Sequence, residues 1–294
     1  MTGGGDVRIA YRLLDAVAPP DSAHSVWSAP NSASTALVFV HGWAQSSRSW
    51  GDELLTGLTA RHRVIAVDLR GHGASEVAAR DRYRAADFAA DLHAVLDAEG
   101  VERAVLIGWS YGGLAICDYL AVHGTARVAG IVLVGAITSM GPDQAGGMVG
   151  PAMRSALPEA LSTDPRTAIR ALGSFGNAMV PANRPELGAV TQQLFGTSLA
   201  TPPMVRRALF SRTAAYDDVL ASADIPALIV VGTADPVVDP SVSRHAHSLL
   251  PRSVLSLWPG GAHAPFLEDP AKFADELETF VAGVESGIDR QGAR

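Results

Sequence analysis

The sequence predicts an α/β protein: a mostly parallel sheet with helices on both faces, and a helical cap inserted late in the chain. Short, uniformly apolar runs recur along the chain, as is typical of strands buried on both faces. Segments with helically spaced apolar residues separate these runs, and strands that alternate with helices form a parallel sheet. The alternation stops between Ile137 and Asp224, where no buried strand is apparent.

The apolar runs predict the strands in chain order. The segment from Val7 to Leu14 has the pattern of an edge strand, and a short strand is predicted around Ser25–Trp27. The buried strands are predicted at Ala36–Val40, Val64–Val67, Ala104–Ile107, Ile131–Val134, Ala227–Val231 and Val254–Leu257. Helices are predicted between them at Ala86–Leu96, Leu114–Val122 and Pro270–Val281.

The interrupted region, residues 137–224, is predicted to be the cap. It contains helical patterns near Arg166–Leu172, Leu187–Phe195 and Met204–Tyr216. Such an insertion lies over the carboxyl ends of the strands, where ligands bind in open α/β sheets. We therefore divide the chain into a core of residues 1–136 and 225–284, a cap of residues 137–224 and a flexible tail of residues 285–294.

Charge, cysteine content and apolar patterning argue against nucleic-acid binding, a disulfide framework, secretion and a membrane span. A formal charge of −7 argues against nucleic acid, which needs a basic face. Cys117 is the single cysteine, so an intrachain disulfide framework is excluded. The first residues lack the pattern of a signal peptide, and the longest apolar run, Val128–Ile137, is too short to span a bilayer. We expect a cytoplasmic protein with no membrane span.

A candidate nucleophile lies between a predicted strand and a predicted helix. The sequence Gly108-Trp-Ser110-Tyr-Gly112 follows the strand that ends at Ile107. Glycines on both sides of a serine allow the tight strand-to-helix turn that exposes a nucleophilic hydroxyl. The position of the motif, rather than the motif alone, indicates that Ser110 is a nucleophile.

Serine needs a base, and the base needs a group that orients it. After such a turn, the chain order of the partners is acid and then histidine. Asp235 follows the strand that ends near Val231, and His263 follows the last strand, so both emerge at the same sheet edge as Ser110. The alternatives are a capping aspartate, a role that Asp239 before Pro240 fits better, and an exposed loop histidine.

Acyl transfer also needs backbone donors for the developing oxyanion. We expect one donor to be the N–H of Tyr111, directly after the nucleophile, and the second to be the N–H of Trp43 in the loop His41-Gly42-Trp43. The alternative for His41 and Gly42 is a simple tight turn. Trp43 and Tyr111 are also expected to line the substrate pocket, and Trp109 to pack beneath the serine.

Over nearly its whole length the sequence resembles the α/β-hydrolase superfamily. The motifs that match in order and spacing are His41-Gly42-Trp43, Asp68-Leu-Arg-Gly-His-Gly-Ala-Ser75, Gly108-Trp-Ser-Tyr-Gly-Gly113, Asp235 and His263. Locally it is similar to pimeloyl-carrier-protein methyl ester carboxylesterases, which share the sequence Ala-His-Ala-Pro-Phe, here Ala262–Phe266. Similar pieces occur in cofactor-free haloperoxidases, lactonases and other small esterases.

These observations predict a serine hydrolase that cleaves a carboxylic ester or lactone of an apolar acyl group through an acyl-enzyme, without a cofactor or metal. The substrate is a small molecule or a carrier-bound acyl group. One alternative uses the same acyl-enzyme for transacylation, perhydrolysis or lactone formation. Another is a non-catalytic ligand receptor on the same fold, because fold does not determine function.

The cap contains an arginine group with two interpretations. Arg206, Arg207 and Arg212 either keep a helix face solvated or recognise an anionic substrate or carrier.

Overall fold

The computed structural model describes residues 1–3, 6–14 and 35–287. Its strands are β1 (Tyr11–Leu14), β2 (Ala36–Val40), β3 (Val64–Val67), β4 (Ala104–Trp109), β5 (Val128–Val134), β6 (Ala227–Gly232) and β7 (Ser253–Trp258). They form one sheet in the order β1-β3-β2-β4-β5-β6-β7, in which only the edge strand β1 is antiparallel to its neighbour. The predicted fold class, a mostly parallel sheet, is confirmed.

The helices are α1 (Asp52–Leu58), α2 (Ala85–Ala98), α3 (Tyr111–His123), α4 (Pro151–Ala160), α5 (Pro165–Asn177), α6 (Gly188–Ala200), α7 (Pro203–Phe210), α8 (Asp217–Ser222), α9 (Pro240–Leu249), α10 (Pro265–Glu268) and α11 (Pro270–Ser286). Helix α2 packs against α3 and α3 against α8, whereas α1 packs against α11, so the helices form two layers around the sheet. No helix within the described ranges is long and apolar enough to cross a membrane.

The helices of the predicted cap pack on one another and on Trp43, an aromatic residue of the predicted core. Helix α5 contacts both α4 and α6. The Trp43 ring lies 5.4 Å from Phe175 of α5 and 5.2 Å from Phe210 of α7, both in edge-to-face geometry. Trp43 therefore joins the cap to the loop after β2.

The predicted helix Met204–Tyr216 was wrong in its second half. Helix α7 ends at Phe210 because the next residues pair elsewhere: Ala214 forms an antiparallel bridge with Met140, with N–H···O distances of 2.7 and 2.8 Å. The apolar spacing continued into residues that form a turn and a loop with a single bridge rather than a helix.

The predictions for the two ends of the chain can be compared with the structure only in part, because some of their residues lie outside the described ranges. Strand β1 begins at Tyr11 rather than Val7, and the strand predicted around Ser25–Trp27 lies outside the described residues. Helix α11 continues to Ser286, so the first residues of the predicted tail are helical, and residues 288–294 also lie outside them. The boundaries of core and cap stay a prediction.

Candidate active site

Ser110 lies in a strained turn between β4 and α3. Its backbone has φ 55° and ψ −118°, a conformation that costs a non-glycine residue on the order of 1–3 kcal/mol. A Cβ at Gly112 would lie 2.0 Å from the Val40 carbonyl oxygen, and one at Gly108 would lie 2.7 Å from the Gly113 nitrogen. The glycines of the motif are therefore required by close backbone contacts, and they let Ser110 approach the end of β2.

Asp235 and His263 form a buried pair at the ends of β6 and β7. His263 Nδ1 lies 2.8 Å from Asp235 Oδ2, and both side chains are almost inaccessible. The other carboxylate oxygen, Oδ1, accepts hydrogen bonds from the N–H groups of Val237 (2.8 Å) and Val238 (3.1 Å). Because the two N–H groups fix the orientation of Asp235, its carboxylate holds the His263 ring with Nδ1 toward it. Nε2 is then the ring nitrogen that does not contact Asp235.

The indole of Trp109 links this pair to the serine. Trp109 Nε1 donates to the His263 carbonyl oxygen at 2.9 Å, and the two rings lie 5.5 Å apart. Phe266 packs edge-to-face on Trp109 at 5.1 Å. In the described part of the chain the Ser110 hydroxyl makes no hydrogen bond to His263. Trp109 thus lies beneath the serine and fixes the backbone of the histidine.

Glu268 supports the same loop, and the sequence did not single it out. Its Oε1 accepts a hydrogen bond of 2.8 Å from the N–H of Ala262, directly before His263. Burial raises the pKa of the Glu268 carboxyl, and the Ala262 N–H opposes that shift. Only the three-dimensional turn of the chain brings residue 268 back to residue 262, so the sequence pattern held no signal for this contact.

The two predicted oxyanion donors belong to residues near Ser110: Tyr111 follows it in the chain, and Trp43 follows Gly42. A Cβ at Gly42 would lie 3.0 Å from Ser110 Cβ and 3.6 Å from its Oγ, so the loop after β2 runs directly against the serine. The N–H groups of Trp43 and Tyr111 have no acceptor among residues 1–3, 6–14 and 35–287. Both N–H groups are thus unpaired in the described part of the chain, and their role as oxyanion donors stays a prediction.

Buried neutral histidines brace the loop that carries Trp43. His41 Nε2 accepts from the Leu69 N–H at 3.0 Å, and His72 Nε2 accepts from the Ala44 N–H at 3.3 Å. Burial lowers the pKa of both rings, and that of His72 to about 3. Both rings are therefore neutral acceptors, and the segment 68–75 supports the site without facing it.

A cavity of about 390 Å³ opens at Ser110 beneath the cap. Trp43 and Tyr111 line it, as predicted for pocket residues, together with apolar side chains from the cap and from the loop after β6. Examples are Met140, Met153 and Val238. A larger groove of about 480 Å³ lies between β7 and α11, away from all of the candidate residues. The cavity at Ser110 suits an apolar substrate.

The cap arginines do not form the exposed group that either interpretation assumed. Arg206 is 2% exposed, and its Nη1 donates to the Ser198 carbonyl oxygen at 3.1 Å. Arg212 is also largely buried, and it pairs with Asp118 of α3 at 2.5 Å. Arg207 alone is exposed. Both interpretations fail for Arg206 and Arg212. Arg206 connects α7 to α6 within the predicted cap, and Arg212 connects the predicted cap to α3 of the predicted core.

The part of the chain that the structure describes offers no cluster of metal-binding side chains. It contains no group of three or more His, Cys, Asp or Glu side chains that could hold a metal ion.

The strained turn with Ser110 lies at the same sheet edge as the hydrogen-bonded pair of His263 and Asp235, and this is the chain order and placement that the α/β-hydrolase fold uses. Residues 35–270 match the α/β hydrolase fold family, and the chain belongs to that family.

Three relatives illustrate the family. The crystal structure of an esterase from Rhodococcus sp. ECU1013 is 51% identical, with a TM-score of 0.87 over 96% of this chain and 98% of that one. A non-heme haloperoxidase of Rhodococcus erythropolis is 31% identical over 77% of this chain and 85% of its own length. A pimeloyl-[acyl-carrier protein] methyl ester esterase of Neisseria meningitidis is 30% identical over 84% of this chain and 94% of its own length.

Proposed function

We propose that this protein is a serine hydrolase that cleaves a carboxylic ester or lactone of an apolar acyl substrate. The observation that supports it most is the buried His263–Asp235 pair, fixed at 2.8 Å, at the same sheet edge as Ser110 and its strained turn. The similarity to esterases, and the apolar cavity of about 390 Å³ at Ser110, support an ester rather than a peptide or sugar.

In the first half of the reaction, Ser110 Oγ attacks the ester carbonyl carbon while His263 Nε2 takes the hydroxyl proton. The N–H groups of Trp43 and Tyr111 donate to the oxyanion of the tetrahedral intermediate. When the intermediate collapses, the bond to the alcohol breaks and the leaving oxygen takes the proton from His263. The serine hydroxyl and the histidine come within hydrogen-bond reach when substrate binds, as catalytic contacts commonly tighten in the complex.

In the second half, water attacks the acyl-enzyme, and His263 takes a proton from it and returns this proton to Ser110. Asp235 keeps Nδ1 protonated and stabilises the imidazolium in both halves. If an alcohol, an amine or peroxide takes the place of water, the same acyl-enzyme gives a transfer product. The product of a competition between water and these acceptors distinguishes hydrolysis from transfer.

The relatives named for acyl carrier protein make carrier-bound esters one arm of the substrate panel. Arg206 and Arg212 are buried in cap contacts, so these two side chains do not offer a cationic contact to an acidic carrier.

The decisive comparison is turnover by wild type and by Ser110→Ala on a panel of aryl esters, free and carrier-bound methyl esters, and lactones. We expect Ser110→Ala to fold normally and to lose about 10³-fold or more in kcat, because no other group supplies the nucleophile. Ser222→Ala, at an exposed serine remote from the cavity, is the matched control and should keep wild-type rates. A wild type that binds esters without sustained turnover would indicate a receptor instead.

A further inference from the structure

A second space lies directly behind the wall of the cavity at Ser110. This outer groove of about 300 Å³ is lined on its far side by the exposed residues Arg80, Asp81 and Arg84. The segment Ser211–Thr213, which follows α7, lines both the outer groove and the cavity. These residues are therefore a partition between the two spaces.

Arg212 is held rigidly in this partition. Its Nη1 donates to the Tyr111 hydroxyl at 2.8 Å, and its Nη2 donates to Asp118 Oδ1 at 2.5 Å. The guanidinium carbon lies 4.9 Å above the ring centre of Phe88, and the side chain is 7% exposed. If Arg212 moved away, the buried Asp118 carboxylate would lose its counter-ion and keep only the hydrogen bond from the Tyr216 hydroxyl, which is strongly unfavourable.

The ion pair of Arg212 and Asp118 gives the cavity a wall without an unpaired charge. Burial opposes the charge of Arg212, but the Tyr111 and Asp118 oxygens outweigh it and raise the pKa of the guanidinium. Burial raises the pKa of the Asp118 carboxyl, and the guanidinium of Arg212 opposes that shift. The positive charge is thus matched beside the cavity, and an anionic substrate group finds no unpaired cation there.

We propose that Arg212 is a specificity-determining residue that limits the length of the substrate chain at Ser110 by closing the cavity against the outer groove. The inference rests on the proposed ester hydrolysis. Without the guanidinium the two spaces join, and a longer acyl or alkyl chain extends past Ser211 and Thr213 into the groove beside α2. Each additional methylene that becomes buried favours the longer ester about fourfold in kcat/KM.

Two double variants separate size from charge. Arg212→Ala/Asp118→Asn removes the wall and leaves no unpaired carboxylate, whereas Arg212→Met/Asp118→Asn makes the same charge change but keeps the space filled. Each is assayed on p-nitrophenyl esters of increasing acyl length and on alkyl esters of one acid. The alanine variant should raise the ratio of long-chain to short-chain kcat/KM at least about tenfold over the methionine variant in one series, the effect of two buried methylenes.

A further substitution places the added chain in the outer groove. Ala85 lines this groove but not the cavity, so Ala85→Trp should leave the wild-type length profile unchanged and reverse the gain in the alanine variant. If the alanine variant does not fold, Arg212→Lys retains the charge with a slimmer end and should shift the ratio in the same direction, by less.

Identical length profiles for the alanine and methionine variants, or a gain that Ala85→Trp does not reverse, would overturn the inference. For Arg212→Lys, an unchanged profile would do the same. In each case wild-type turnover of short esters leaves the proposed function intact. A wild type that hydrolyses no ester contradicts the proposed function itself.

Discussion

The sheet edge and the cap differ in how they hold their polar side chains. At the sheet edge, the Asp235 carboxylate is oriented by its own loop, because it accepts hydrogen bonds from the N–H groups of Val237 and Val238. In the cap, Arg212 is fixed by a partner 94 residues away in the chain, Asp118. Side chains held by their own loop can be predicted from a motif, whereas those held by distant partners cannot.

The largest expected effect is at the sheet edge. In Asp235→Asn the side chain offers an amide where His263 Nδ1 meets a carboxylate, which favours the wrong tautomer. We expect kcat to fall about 10³- to 10⁴-fold with little change in stability. Asp239→Asn makes the same chemical change at a helix cap outside the site and should affect stability by about 1 kcal/mol or less, not rate. Equal losses of kcat in both variants would contradict the local account.

A smaller effect should come from the link between serine and histidine. Trp109→Phe keeps an aromatic ring beneath the serine but removes the N–H that holds the His263 carbonyl oxygen. We expect a loss of about tenfold in kcat with KM nearly unchanged, because the histidine is less well placed rather than absent. The matched control is Trp258→Phe, whose indole bonds to Glu276. A pure stability loss, with kcat retained, would reduce Trp109 to a packing residue.

The sequence predicts the strands and the residues at their ends better than it predicts contacts between distant parts of the chain. The six strands predicted as buried appear within three residues of their predicted bounds, because uniformly apolar runs have few other places in a fold. The burial prediction was wrong for β7, which lies at the edge of the sheet and exposes Val254 and Leu257. The pairing of Asp235 with His263 was expected because both follow parallel strands. The nucleophile role of Ser110, like the oxyanion roles of Trp43 and Tyr111, stays a prediction for the kinetics to test.

The cap was harder to predict for physical reasons. Apolar spacing extended the helix from Met204 to Tyr216, because the spacing does not show that Ala214 pairs with Met140. The burial of Arg212 depends on Asp118, and one sequence cannot reveal which charge on a distant helix completes a buried pair. Likewise, nothing in the pattern around His263 indicates that Glu268 holds the N–H of Ala262.

The smallest effect concerns the brace behind the oxyanion loop. His72 has a pKa of about 3 because it is buried, against an ordinary value near 6.5, so as the pH falls below about 6.5 the unfolded chain binds a proton that the native protein does not. Stability should therefore fall between about pH 6.5 and 3, with His72 contributing about 2 kcal/mol of the loss between pH 7 and 4.5.

Urea midpoints at pH 7 and 4.5 measure this loss. His72→Gln should be less stable at pH 7 but lose less on acidification than wild type. His247→Gln, at an exposed histidine, is the control and should follow wild type. Equal acid losses in wild type and His72→Gln would show that the ring is not held neutral by the fold.

The most direct test of the central claim is the site of covalent modification by a fluorophosphonate, read by intact mass and peptide mapping. The account predicts a single phosphonyl group on Ser110, lost turnover in proportion to labelling, and no adduct in Ser110→Ala. An adduct on another residue, or a Ser110→Ala protein that still turns over esters at near wild-type rate, would contradict it.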